Sequence, residues 1–185
     1  IGANYFDLFA RTLANPEDQS SRDNLARLAK ARIPFVRFMC GGFWPSEHRM
    51  YLTNRTVSFE RLDRIVRAWE TNDIGLIPSL FWNVSTVSDL VGEPLDQLGN
   101  PGSRTIGLIR NYTKDVVMRY RRSPAIWAWE FGNEYVLACD LPNASEHRPQ
   151  VVPQLGTAPT RSKRDELKFE QLKVAFEAFG GAVRR

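Results

Sequence analysis

A strand-then-helix rhythm, repeated four times, constrains this chain more than any other feature. GANYFDLF is a short apolar run, read as a strand, and PEDQSSRDNLARLAKA after it places Leu25, Leu28 and Ala29 at helical spacing behind a polar start. IPFVRFMC is the second strand. A long loop holding GGFWPSEHRMYLTNRT follows, and then SFERLDRIVRAWETN, whose Phe59, Leu62, Ile65, Val66 and Trp69 share one helical stripe with Ser58 as N-cap. IGLIPSLFW is the third strand, and after a loop bearing Gly and Pro the segment SRTIGLIRNYTKDVVMRYRR is the third helix, with Ile106, Ile109, Val116 and Tyr120 on its apolar side. AIWAWEFG is the fourth strand. A Pro-rich loop leads to KRDELKFEQLKVAFEAFGGAVRR, a final amphipathic helix carrying Leu167, Leu172, Val174, Phe176 and Phe179.

Strands that are nearly continuous apolar runs are buried on both faces, which is the property of parallel strands covered by helices. Two architectures accept four such βα units. An open doubly wound sheet that binds a nucleotide carries a Gly-rich turn after its first strand, but here that strand runs into NYFDLFARTLANPED with neither GxGxxG nor a P-loop. A (β/α) barrel instead gathers function at the carboxyl ends of its strands. Those ends hold Asn4 and Tyr5, Arg37, Phe43 and Trp44, Trp82 and Asn83, and Asn133 and Glu134.

Several function classes are disfavoured. The formal net charge of +4 comes from 25 Lys+Arg against 21 Asp+Glu, spread along helical segments, so no basic block points to nucleic acid. The RYRR cluster at Arg119 to Arg122 reads as a solvated helix end. No apolar stretch approaches a membrane span. His48 and His147 lie in long loops without metal-ligand spacing, so neither a metal nor another cofactor is expected. Cys40 and Cys139 read as buried thiols, with a bridge between them as the other arrangement, since each follows a strand on the same side. Sequons at Asn54, Asn83, Asn111 and Asn143 lean towards a secreted protein.

The fourth strand ends unusually. Where an interior strand should close, the chain offers Glu130, Gly132, Asn133 and Glu134. With GANYF in strand one, an arginine inside FVRF, FWN ending strand three, and above all IWAWEFGNEY, the chain resembles the retaining glycoside hydrolases of clan A, closest to family 5, the cellulase- and mannanase-like enzymes. That resemblance implies an Asn-Glu pair at the end of strand four, with Glu134 as general acid/base and Asn133 donating to the hydroxyl beside the reacting carbon. Arg37 is implied to lie under the site and to orient the nucleophile; Trp44 and Trp82 would offer faces to sugar rings, and Asn4 and Asn83 would contact hydroxyls. A carboxyl among Trp129, Trp82 and Tyr135 is expected to be partly desolvated, the condition under which it keeps a proton near working pH.

Plainer roles stand beside these. Glu130, a carboxylate inside a strand pattern, reads as a supporting partner of Arg37; Trp44 and Trp82 serve equally well as core packing; Glu134 could cap a helix. The family's nucleophile is a glutamate ending strand seven, and this sequence holds four βα units. The expected fold is therefore α/β, the N-terminal half of a (β/α)8 TIM barrel with parallel strands, residues 1–185 forming part of a catalytic domain. The expected function is a retaining glycoside hydrolase of a β-linked glycan such as glucan or mannan, in oligo- or polysaccharide form, this chain carrying the acid/base half of the site. The alternatives are a homodimer closing through strands one and four, a self-assembling half-barrel, and a non-catalytic carbohydrate-binding module.

Overall fold

Three parallel strands in the order β1-β2-β3 form the sheet: β1 is Ala3–Asn4, β2 is Phe35–Met39 and β3 is Gly75–Ser79. The structure is a computed structural model describing residues 1–184, apart from the Arg22 side chain. The register pairs Asn4 with Arg37, Arg37 with Ile77, and Met39 with Ser79. Side chains alternate between faces along a strand. Val36, Phe38 and Leu76 are fully buried in one core cluster, which also takes in Leu8 and Phe9 of α1 (Leu8–Ala14) and the stripe Phe59, Leu62, Ile65, Val66 and Trp69 of α4 (Arg55–Thr71). α2 is Ser20–Lys30 and contributes Leu25. The other face, with Phe35, Arg37 and Ile77, is only half-buried.

Several expectations need correction. The run GANYFDLF contributes two strand residues and then turns into α1, because Leu8, Phe9 and Leu13 bury at helical rather than alternating spacing. The loop expected over GGFWPSEHRMYLTNRT contains a helix, α3 (Pro45–Thr53). Pro45 occupies its first turn, where no N–H is needed, and the Glu47 carboxylate accepts from the backbone N–H groups of Phe43 at 2.7 Å and Trp44 at 3.0 Å. The N-cap of α4 is Asn54, whose side chain accepts from Val57 N–H at 3.2 Å; Ser58 lies inside the helix and is buried. The Gly/Pro loop holds α5 (Thr86–Leu90), and α6 (Arg104–Tyr120) is capped by Ser103, whose hydroxyl accepts from Ile106 N–H at 3.0 Å. The last helix, α7 (Phe169–Val183), starts beyond KRDEL, which instead forms a 3-10 turn at Lys163–Asp165 capped by Ser162. Leu172 and Ala175 of α7 are fully buried, while Phe176 is exposed.

The expected fourth strand is reduced to two parallel bridges, Leu76 with Ile126 and Ser79 with Glu130. The cause lies in β3. Leu76 N–H donates to Ala125 C=O at 2.6 Å and Leu76 C=O accepts from Trp127 N–H at 3.0 Å, but Pro78 has no N–H to continue the ladder. Its carbonyl accepts from Glu130 at 3.1 Å, where a regular ladder would use Trp129. One residue is therefore extra between the bridges, a bulge that turns Ile126 and Glu130 to opposite faces of the sheet. Trp127, 56% exposed, lies against Phe35 on the uncovered face.

A long excursion after this segment is clamped by an internal ion pair. Arg161 reaches Asp89 of α5 through Nη1 at 2.6 Å and Nη2 at 2.8 Å, and it also donates to the carbonyls of Pro149 and Gln150 at 3.2 Å. Both side chains are almost wholly enclosed, at 6% and 0% exposure. Cys40 is buried and Cys139 half-buried, and both are free thiols.

His48, expected in a loop, sits on α3 among Phe81, Tyr51 and Tyr112, with neither ring nitrogen hydrogen-bonded. Burial pulls its pKa down to about 4 from 6.5. The unfolded chain therefore takes up the proton first as pH falls, so the stability tied to neutral His48 is complete above pH 6.5 and is lost towards pH 4. The slope approaches about 1.4 kcal/mol per pH unit within that window. Urea midpoints at pH 7 and 5.5 should differ more for the natural chain than for His48→Phe; equal shifts would place the pH dependence elsewhere.

Candidate active site

At the carboxyl ends of the strands an open cleft of about 530 Å³ brings together five of the expected residues, Asn4, Arg37, Trp82, Asn133 and Glu134, with Phe6, Met39 and Phe43 beside them. Hollows of about 500 Å³, under the clamped excursion, and about 640 Å³, between α6 and α7, lie away from the strand ends.

The polar groups form a continuous string. Glu130, turned to the open face by the bulge, accepts from Arg37 Nε at 2.6 Å. Arg37 Nη2 donates to Asn133 Oδ1 at 3.0 Å, and the Asn133 amide donates to the Glu134 carboxylate at 3.4 Å. The Arg37 guanidinium also stacks on the Trp82 ring, 4.1 Å from its centroid. A charge inside a sheet needs such partners, and Arg37 has them on three sides.

The backbone is held as firmly. The Tyr135 hydroxyl donates to Phe81 C=O at 2.5 Å and Asn83 C=O at 2.9 Å, and enclosure of the phenol pushes its pKa up. Gly132 passes so close to the Phe81 carbonyl that a Cβ would collide with it. Glu134 then adopts a left-handed conformation, φ 53° and ψ 23°. For a non-glycine residue that costs roughly 1–2 kcal/mol, and such strain gathers at functional positions.

The environment differs from the expected one in several respects. Glu134 is exposed rather than enclosed by Trp129, Trp82 and Tyr135; Tyr135 is buried below it, bonded to the chain beneath. Trp82 is 8% exposed and its ring carries Arg37, so it is a buried partner of the site. Trp44 and Asn83 fall outside the cleft lining. Trp44 precedes α3 and packs on Phe43 at 4.9 Å, and Asn83 Oδ1 accepts from Ser85 N–H at 3.3 Å. Arg37 spends two of its donors on Glu130 and Asn133. Phe6 and Met39 were not anticipated as lining residues, and Phe43 was placed at a strand end without a role. The available signal was position, since each lies just past or at a strand end.

Chemically, the cleft offers a carboxyl group, an amide and a guanidinium. Among the described residues lining it, Glu134 is the sole carboxylate. No cluster of three or more metal-ligating side chains occurs among the described residues.

No protein-family model and no curated protein matches the chain. Among solved structures, the fold is similar to that of the exo-β-1,4-mannosidase Op5Man5 from Opitutaceae bacterium strain TAV5, at 18% sequence identity and a TM-score of 0.58. The match covers 100% of this chain and 29% of that one, so this chain spans less than a third of the mannosidase's length. The mixed α/β fold with its parallel sheet is thus similar to that of a glycoside hydrolase.

Proposed function

We propose that the chain forms the N-terminal half of a (β/α)8 barrel and carries the acid/base half of a retaining glycoside hydrolase site for β-linked glucan or mannan. The observation that carries this reading is the string Glu130–Arg37–Asn133–Glu134 at the carboxyl ends of parallel strands. Retention requires a proton for the leaving oxygen and a second carboxylate about 5 Å away to attack the anomeric carbon. Glu134 supplies the proton as the C–O bond breaks, and Asn133, held by Arg37, meets the neighbouring hydroxyl. The nucleophile comes from outside these residues, which accords with a cleft whose described lining has one carboxylate.

Closing the half-barrel covers the open face with Phe35 and Trp127, either by further βα units or by a second copy of this chain. Turnover of aryl β-mannosides and β-glucosides by the chain alone is expected to be negligible. It should appear when a polypeptide carrying the complementary strands and their glutamate is added, with light scattering recording the closed species. Robust hydrolysis by a monomer would overturn the division of the site. The non-catalytic module predicts sugar binding without turnover even in the complemented state.

A further inference from the structure

Resting on that carbohydrate reading, we propose that Phe6 is the platform on which a β-linked hexopyranoside lays the face bearing its C1, C3 and C5 hydrogens. Phe6 lines the cleft and is 47% exposed, the most open of its aromatic side chains. Its position is fixed by the backbone on both sides: Tyr5 N–H donates to Arg37 C=O at 2.8 Å, and Phe6 C=O accepts from Met39 N–H at 3.2 Å. A platform of this kind needs a flat apolar face held rigidly.

The other aromatics cannot serve as well. Trp82 is enclosed and carries the Arg37 guanidinium. Phe43 is half-buried against Trp44, which is itself outside the cleft. The Phe6 ring stands nearly perpendicular to Trp82, with centroids 5.1 Å apart and planes at 77°. In that arrangement Trp82 covers at most one face of Phe6, and the exposure of the residue leaves ring surface for a ligand.

The neighbouring groups complete the fit. Asn4, Asn133 and Glu134 line the same cleft and are placed for the hydroxyl rim of a ring whose face rests on Phe6. In β-linked gluco- and mannopyranosides the three axial hydrogens make one face apolar. In the α-anomer the axial anomeric oxygen projects from that same face and would be pressed into the Phe6 ring. The platform therefore selects the β-anomer and treats glucose and mannose alike.

The test is proton NMR of the whole chain with methyl β-D-mannopyranoside and methyl α-D-mannopyranoside, following saturation transfer and ring-current shifts. For the β-anomer, H1, H3 and H5 should receive the strongest transfer and move upfield, and the α-anomer should bind more weakly. Phe6→Ala should weaken β-anomer binding by about tenfold, the effect of about 1.4 kcal/mol of stacking, while Phe6→Tyr restores it. Equal binding by the natural chain and Phe6→Ala would overturn the platform and leave the carbohydrate reading intact. Failure of the natural chain to bind either sugar would overturn both. If Phe6→Ala loses its circular dichroism signal, Phe6→Leu, which keeps apolar volume without a flat face, decides by the same criteria.

Discussion

In the complemented enzyme, Glu134→Gln is expected to slow hydrolysis of an alkyl β-mannoside by about 10²–10⁴-fold, or about 3–5 kcal/mol of transition-state stabilisation. Glutamine keeps the shape of the side chain and its contact with the Asn133 amide, but it has no proton to give to the departing oxygen. An alkoxide is a poor leaving group and needs that proton. Dinitrophenolate departs without it, so the burst of dinitrophenolate from the corresponding glycoside should be nearly unchanged. The comparison isolates the acid from any general damage to the site. Equal loss on both substrates would remove the acid role from Glu134 and return it to a strained surface carboxylate at the head of a turn.

Asp89→Ala is expected to cost about 3–5 kcal/mol, the usual effect of stranding one member of a buried ion pair. Single-domain stabilities are about 5–15 kcal/mol, so the loss would be a large share of the whole. The Arg161 guanidinium would keep its contacts to the Pro149 and Gln150 carbonyls, and Asp165 stands at 3.8 Å, but the bidentate partner would be gone. Urea unfolding should show a lower midpoint with little change in slope. Replacing both members, Asp89→Leu with Arg161→Met, should recover much of the loss because no charge is then left enclosed. A cost below 1 kcal/mol for Asp89→Ala would mean that water reaches the pair, an outcome typical of exposed bridges.

The helices were largely legible because burial imposes a period on the sequence. Phe59, Leu62, Ile65, Val66 and Trp69 were read as one stripe and bury as one. α3 was missed because its start, Phe43-Trp44-Pro45, reads as loop chemistry, although Pro45 in the first turn and Glu47 two residues later were the visible signals of a beginning helix. The Arg37–Glu130 pair was legible for a physical reason, since a charge inside a strand demands a counter-charge and few were on offer. The environment of Glu134 was not, because it depends on which way Tyr135 and Trp82 turn, and both turn away to partners distant in sequence. Phe6 looked like one more apolar strand residue; its exposure follows from the chain turning after Asn4.

Pro78 acts on the site as a change of parity. Ile126 and Glu130 are four positions apart, so an unbroken strand would show both to the same side. That side holds Val36, Phe38 and Leu76, where a carboxylate would find no counter-charge. By withholding one hydrogen-bond donor, a proline on the neighbouring strand turns an even count into an odd one and hands Glu130 to Arg37. The arrangement is therefore written in two places at once. Giving position 78 an N–H would let the ladder run on regularly and turn the carboxylate inward, whereas deleting one residue between Ile126 and Glu130 would remove the bulge and leave the carboxylate facing Arg37.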